Sequence, residues 1–420
     1  MGLQIAKLTS ELAANGPPLF FPDPTVPVTF NFDQGLAAEE TFPLDDFKAL
    51  APAILDRDGA RALEYISFDH DAGRLFYSPT YVELVLGNTD LRHEIAAWVG
   101  RLQQRPDLRA DNVILCSGSV QGISLAVNAF VEPGDGVIVE AASFPYALRY
   151  IEMRGGDIRT VPVDDDGIDV DAVEAQLVAL RDQGVRPKMI YTIPTFQLPT
   201  GVCTSLERRR RLLELAEEHD VMVLEDHVYA DIRVEGEHIP SLLQLDTTGR
   251  VIQAHSFSKI VAPGIRLGWM TAGAEAIGAL AAVRQDLGVS QWFARMMTEF
   301  MRQGKLDPHI ERANVVYRRR RDLAVAAMRE HCGEFVDFRV PDGGFYLWIE
   351  MTSDRVDWER AGNQAAANGV FFRPGEVFMG EEQGRRFLRL AFSHVAEDEL
   401  ARGIEVLGQA MRDARHDPVR

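Results

Sequence analysis

The feature that most restricts the fold is an alternation, from about residue 90 to about residue 275, of short β-rich runs with longer amphipathic ones. "NVILCSG" leads into "VQGISLAVNAF", "GVIVEAASF" into "YALRYIEMRG", and "PKMIYTIP" into "TSLERRRRLLELAEEHD", which precedes "VMVLEDH". Val170, Val173, Leu177 and Leu180 fall on one face of a helix, as do Leu212, Leu215 and Ala216, while Thr204 and Glu207 have the spacing of a capping box. Strands that alternate with helices are joined by right-handed crossovers. The pattern therefore predicts an α/β fold with a mostly parallel sheet covered on both faces.

After residue 310 the texture changes to a basic helix, "ERANVVYRRRRDLAVAAMREH", then "GGFYLWIEM", a further helix and "FLRLAFSHV". This reads as a smaller α+β lobe, and a chain of 420 residues is long enough to need a second core. The first 50 residues, rich in proline and phenylalanine, read as an extended arm. The expected division is residues 1–60 for the arm and part of the small domain, 61–310 for the large domain and 311–420 for the C-terminal small domain.

Composition removes several function classes. A net charge of −19 argues against non-specific nucleic-acid binding, although local basic residues can still hold an anion. Cys116, Cys203 and Cys332 are widely spaced and odd in number, which fits a reducing cytoplasm and packing roles, with no metal-ligand pattern. No run of about 18 apolar residues and no signal-peptide core occurs, so the expectation is a cytoplasmic protein without a membrane partner.

In open parallel sheets ligands collect beyond the carboxyl ends of the strands. Here those ends carry Ser117-Gly118-Ser119-Val120 running into a helix whose first N–H groups can hold a phosphate. They also carry Phe144 after "GVIVE", Asp226 and Tyr229 after "VMVLE", and Ser256, Ser258, Lys259 and Arg266 after "VIQAH". Each alone has an ordinary explanation as a cap, a packed ring or a solvated charge. Two hydroxyls, an ammonium and a guanidinium so close together suit a phosphate plus a carbonyl-like group.

Together these segments resemble the fold-type-I, pyridoxal-phosphate-dependent class I/II aminotransferases. "SFSKIVAPGIRLGW" is similar to their cofactor-lysine signature, and "SGSVQG", "ASFPYA", "YTIPTFQLPTG", "LEDHVYADI", "DGGFYLW", "RPGEVF" and "FLRLAFS" follow the family's order. The resemblance spans about residues 30 to 410. It points to the branch with 2-aminoadipate and aromatic aminotransferases and the cofactor domain of MocR-type regulators. It implies a large domain with a mostly parallel seven-stranded sheet between helices, a smaller α+β domain, and transfer of an amino group from an α-amino acid to a 2-oxo acid. Pyridoxal 5'-phosphate would be held as a Schiff base on Lys259.

The resemblance also implies a role for each site residue. Lys259 moves the α-proton, Asp226 pairs with the ring nitrogen, Tyr229 donates to the ring's phenolic oxygen, and Phe144 stacks on the ring. Ser119, Val120, Ser256, Ser258 and Arg266 cradle the phosphate. Tyr77 in "LFYSPTY" reaches the neighbouring subunit's phosphate, which implies a homodimer with shared active sites. Arg389 binds the substrate α-carboxylate, and Gln34 and Gly35 in "FDQGLAAEETFP" contact substrate.

The sequence departs from the family at two places. Leu198 in "LPTG" stands where the family has an asparagine that bonds the phenolic oxygen, and "YSPTYVELVLGNTDLR" is longer than the family's entrance loop. These departures motivate an alternative, a pyridoxal-phosphate enzyme of specialised biosynthesis that replaces or eliminates a side chain or forms a carbon–carbon bond. A third reading, a MocR-type transcription regulator, is disfavoured because about 30 residues precede the region of resemblance, too few for a DNA-binding domain.

Overall fold

A computed structural model describes residues 7, 10, 26–64 and 79–416, with side chains from residue 83 onward in the last stretch. Its centre is a seven-stranded sheet. The strands in chain order are β1 (Val113–Cys116), β2 (Gly136–Glu140), β3 (Asp157–Val161), β4 (Pro187–Thr192), β5 (Met222–Asp226), β6 (Val251–Ser256) and β7 (Gly268–Thr271). They lie in the order β1-β7-β6-β5-β4-β2-β3. The pairs β2–β3, β2–β4, β4–β5 and β5–β6 are parallel, and β7 runs antiparallel to both β1 and β6. β1, β2, β6 and β7 are buried along their whole length. Helices on both faces leave no water-facing side, so these strands show apolar runs instead of alternation.

The same topology positions the site. The carboxyl ends of β1, β5 and β6 open on one edge of the sheet. Because β7 is reversed, its first residue, Gly268, pairs with Cys116 and Ser256 at that edge. A Cβ on Gly268 would lie 2.7 Å from the His255 carbonyl oxygen and 2.8 Å from the Ser119 nitrogen, so only glycine lets β7 close up against the Ser119 turn.

The helices follow the apolar faces read from sequence. In the helix Val170–Asp182, Val173, Leu177 and Leu180 are buried, and Asp169 caps it by accepting from the Ala172 N–H. The helix Leu206–His219 buries Leu212, Leu215 and Ala216. Its cap is not Thr204, however. Ser205 caps it by accepting from Arg208 N–H, while Thr204 is buried and bonds through its own N–H to the Pro194 carbonyl. The spacing rule was one residue off because Thr204 is held by the loop before the helix.

A second, antiparallel sheet places Val336–Phe338, Tyr346–Met351, Phe387–Ala391 and Arg373–Pro374 side by side. It packs in an apolar cluster of its own with Phe32, Met328, Leu347, Leu388, Phe392 and Ile404. The long helix Leu306–His331 serves both cores: Leu306, Ile310, Ala313 and Tyr317 belong to the main cluster, and Ala324, Val325 and Met328 to the second. The expected boundary at residue 310 thus falls inside an unbroken helix.

Of the arm expected over the first 50 residues, all of 1–25 except 7 and 10 lie outside the described residues, and residues 26–50 run extended only in part. Phe30–Asn31 does run extended, pairing in parallel with Val370–Phe371. Residues Leu44–Asp58 form a helix that buries Leu50 and Ile54, following the turn at Phe42-Pro43. Proline density upstream masked a helical segment that starts just after a proline. Cys116 and Cys332 are buried, which pushes both thiols up to about 12, and Cys203 is half-buried. No described helix is long and apolar enough to cross a membrane.

Candidate active site

The open edge of the main sheet and the second sheet enclose a cavity of about 500 Å³. At its floor the chain leaves β1 through Gly118, whose φ of +82° is a left-handed conformation that glycine adopts without strain, and enters the helix Ser119–Phe130. No side chain caps this helix, so the backbone N–H groups of its first turn face the cavity. Arg266, itself left-handed at φ +51°, reaches back to donate to the Ser117 carbonyl at 2.9 Å. Ser256 and Ser258 complete the floor: the Ser256 hydroxyl donates to that of Ser258 (2.9 Å) and accepts from the Ser258 N–H (3.1 Å). Backbone N–H groups, hydroxyls and a guanidinium around one hollow make an anion cradle.

Lys259 sits one residue beyond Ser258, in the single turn Phe257–Ile260. Its Nζ donates to the Gly35 carbonyl at 2.7 Å. Burial pulls its pKa below the ordinary lysine value, with the nearby Arg389 and Arg266 charges acting in the same direction and Tyr346 and Asp226 opposing. Asp226, at the end of β5, is buried; it accepts from the Tyr191 hydroxyl at 2.9 Å and from Val228 N–H at 3.4 Å. Burial outweighs those bonds and raises its carboxyl to about 6. A buried acid in that state gains from a cationic partner in the cavity.

The opposite wall comes from the second sheet and the segment Asp33–Leu36. Arg389 is buried, donates to the Asp33 carbonyl, and leaves its Nε without a hydrogen-bond partner. Its guanidinium lies over the rings of Tyr346 (4.3 Å) and Phe378 (4.9 Å). Burial lowers its pKa from the ordinary arginine value, though it stays cationic. A guanidinium lined by aromatic rings at a cavity wall can receive a carboxylate. Arg373 lines the cavity too, clamped by the Asp33 carboxylate.

The structure brings Lys259, Asp226, Tyr229, Ser119, Val120, Phe144, Leu198, Ser256, Ser258, Arg266, Arg389, Gln34 and Gly35 together around this one cavity. Tyr77 lies outside the described residues. His227 and His255 stay behind the strand ends. His255 stacks on Trp269 at 4.4 Å and pairs with Asp231 at 2.7 Å. Sequence reasoning missed Tyr191, Tyr346, Asp33 and Arg373. The two tyrosines were inside quoted motifs, "YTIPTFQLPTG" and "DGGFYLW". Asp33 and Arg373 lie in "FDQGLAAEETFP" and "RPGEVF", but nothing local to either segment signals that the two side chains pair across 340 residues.

A crossover sheet with a lysine, a buried acid and an anion cradle at one edge defines a pyridoxal-phosphate-dependent transferase of fold type I. The family model "Aminotransferase class I and II" matches residues 74–407, and the chain belongs to that family. It is an aminotransferase, acting on amino acids and 2-oxo acids with pyridoxal phosphate. Aromatic-amino-acid aminotransferase 1 of Thermococcus litoralis is 32% identical over 381 residues, covering 90% of this chain and 87% of that one. Among solved structures, a multiple substrate aminotransferase from Thermococcus profundus superposes with a TM-score of 0.83 at 31% identity, covering 98% of this chain and 96% of that one. LysN, the alpha-aminoadipate aminotransferase of Thermus thermophilus complexed with N-(5'-phosphopyridoxyl)-L-leucine, gives 0.80 at 29% identity, covering 97% and 95%.

Proposed function

We propose that Lys259 is the residue to which the cofactor is attached and the base of the transfer, and that Arg389 receives the α-carboxylate of each substrate. The observation that carries this is the convergence of the Lys259 amine, the buried Asp226 and the buried guanidinium of Arg389 on one cavity. The residues present fit the group: the cradle at Gly118, where a Cβ would meet the Arg266 guanidinium at 2.8 Å, suits a phosphate, and a buried acid suits a ring nitrogen. When bound, pyridoxal phosphate supplies an aldehyde and a conjugated ring able to take up an electron pair.

This chain's residues do the rest. Ser119 and Val120, through the free N–H groups of their helix turn, hold the phosphate with Ser256, Ser258 and Arg266. Asp226 keeps a proton on the ring nitrogen, and Tyr191 steadies the carboxylate at 2.9 Å. Tyr229 is buried, which holds its hydroxyl well above the usual tyrosine range and leaves it a neutral donor for the phenolic oxygen. Phe144 covers a ring face. Lys259, with its pKa lowered, takes the substrate α-proton at Nζ and returns it. Gln34 and Gly35 border the substrate.

The enzyme works as a homodimer in the cytoplasm, with Tyr77 reaching the partner subunit's phosphate site; the "LFYSPTY" resemblance supports the dimer, and the cysteine usage supports the compartment. Purified holoenzyme is expected to lose its visible cofactor band when given an amino donor, with labelled nitrogen passing to a 2-oxo acid. Lys259→Ala is expected to lose both responses. A product that keeps its own nitrogen would overturn amino-group transfer.

A further inference from the structure

Leu198 is buried against the cavity with no donor to offer, so the polar work of that wall falls to other residues. Tyr229 does not stand alone there. Its hydroxyl lies 2.8 Å from that of Tyr346, which comes from the second sheet 117 residues away. Both tyrosines are about 5% exposed. The Tyr346 hydroxyl is also fixed from behind: a Cβ on Gly35 would fall 1.7 Å from it, so the glycine backbone packs directly on this oxygen.

The direction of the bond between the two hydroxyls decides what it does. Each hydroxyl carries one proton, so whenever Tyr229 donates into the cavity its 2.8 Å contact requires Tyr346 to be the donor of the pair. Tyr346 then donates to the Tyr229 oxygen. The Tyr229 proton is left free to point into the cavity, and a hydroxyl that accepts a hydrogen bond is itself a stronger donor. Other charged and titratable groups face this site: Arg389, 4.3 Å from the Tyr346 ring centre, Lys259, whose Nζ is 5.7 Å from the Tyr229 ring centre, Asp226, bonded to Tyr191, Arg266, the Asp33–Arg373 pair and His394.

We propose that Tyr346 is a positioning residue that relays a hydrogen bond through Tyr229 to the cofactor's phenolic oxygen, in place of the donor that Leu198 lacks. The proposal rests on the reading of Lys259 and Tyr229 above. It concerns how this chain sets the electronics of its cofactor, since a donor at the phenolic oxygen favours the unprotonated form of the lysine–cofactor linkage.

The test is a pH titration of the visible band of resting holoenzyme, without substrate. Tyr346→Phe is expected to raise the midpoint by about 0.7 pH unit, the equivalent of a hydrogen bond of ~1 kcal/mol. In the Leu198→Asn background the same change is expected to move the midpoint less, because the asparagine takes over. Leu198→Asn alone, which does not depend on Tyr346→Phe folding, is expected to lower the midpoint. A midpoint unmoved by Tyr346→Phe or by Leu198→Asn overturns the relay. Lys259→Ala separates the two ideas: it is expected to lose the pH titration of the band, and if its band titrates like that of the native holoenzyme, the reading of the site itself has failed.

Discussion

Replacing Asp226 with asparagine should have opposite effects on the cofactor-free protein and on the holoenzyme. In the free protein the carboxyl stands at about 6 instead of 3.8 because burial disfavours its charge, despite the bonds from Tyr191 and Val228. A group raised in the folded state contributes fully below its unfolded pKa and loses that contribution as pH rises through the folded value. Above pH 7 the native protein therefore carries a charging penalty of ~3 kcal/mol at most, taking 1.36 kcal/mol per pH unit. Asparagine removes the charge and keeps an acceptor for Tyr191. Chemical denaturation of cofactor-free protein should find Asp226→Asn more stable than the native chain at pH 8 by about 1–3 kcal/mol, with the difference vanishing below about pH 3. The holoenzyme should lose affinity for its cofactor, because the ring nitrogen loses its anionic partner. Equal destabilisation of the free protein at both pH values would refute the reasoning, since it would mean the carboxylate is already satisfied without a cation.

Other substitutions probe the substrate wall. Arg389→Ala should lower kcat/KM for amino-acid donors by at least ~10²-fold, the worth of paired charge-assisted bonds, while cofactor stays bound; steady-state kinetics beside the absorption spectrum checks both. Gly35→Ala should be costly in spite of its small size, because the new methyl would lie 1.7 Å from the Tyr346 hydroxyl. A stability loss of ~1–3 kcal/mol and a disturbed cofactor spectrum are expected. Gly268→Ala should weaken cofactor retention, measured by equilibrium dialysis, because its methyl would meet backbone atoms at His255, Gly118 and Ser119, which have no freedom to yield.

Much of this site could be read from the chain because its parts follow strand ends, and a strand end announces itself locally: an apolar run stops, and the polar residue after it is the one offered to the ligand. Asp226, Ser256 and Lys259 are of this kind. Residues that meet only through tertiary packing give no such signal. Tyr346 reads as one more apolar strand position until the second sheet brings it to Tyr229, and Asp33 reads as a polar turn until Arg373 closes on it. The helix Leu44–Asp58 was hidden by the prolines before it, and the Thr204 capping box failed because a loop hydrogen bond outcompeted the spacing.

The claim on which the account depends is that one amine, Lys259 Nζ, carries the cofactor. Borohydride reduction of the holoenzyme fixes a lysine-bound pyridoxal group permanently, and peptide mass spectrometry then locates it. The phosphopyridoxyl group is expected on the peptide containing Lys259; a reduced, cofactor-bearing protein with the label on another residue, or with Lys259 unmodified, would contradict this.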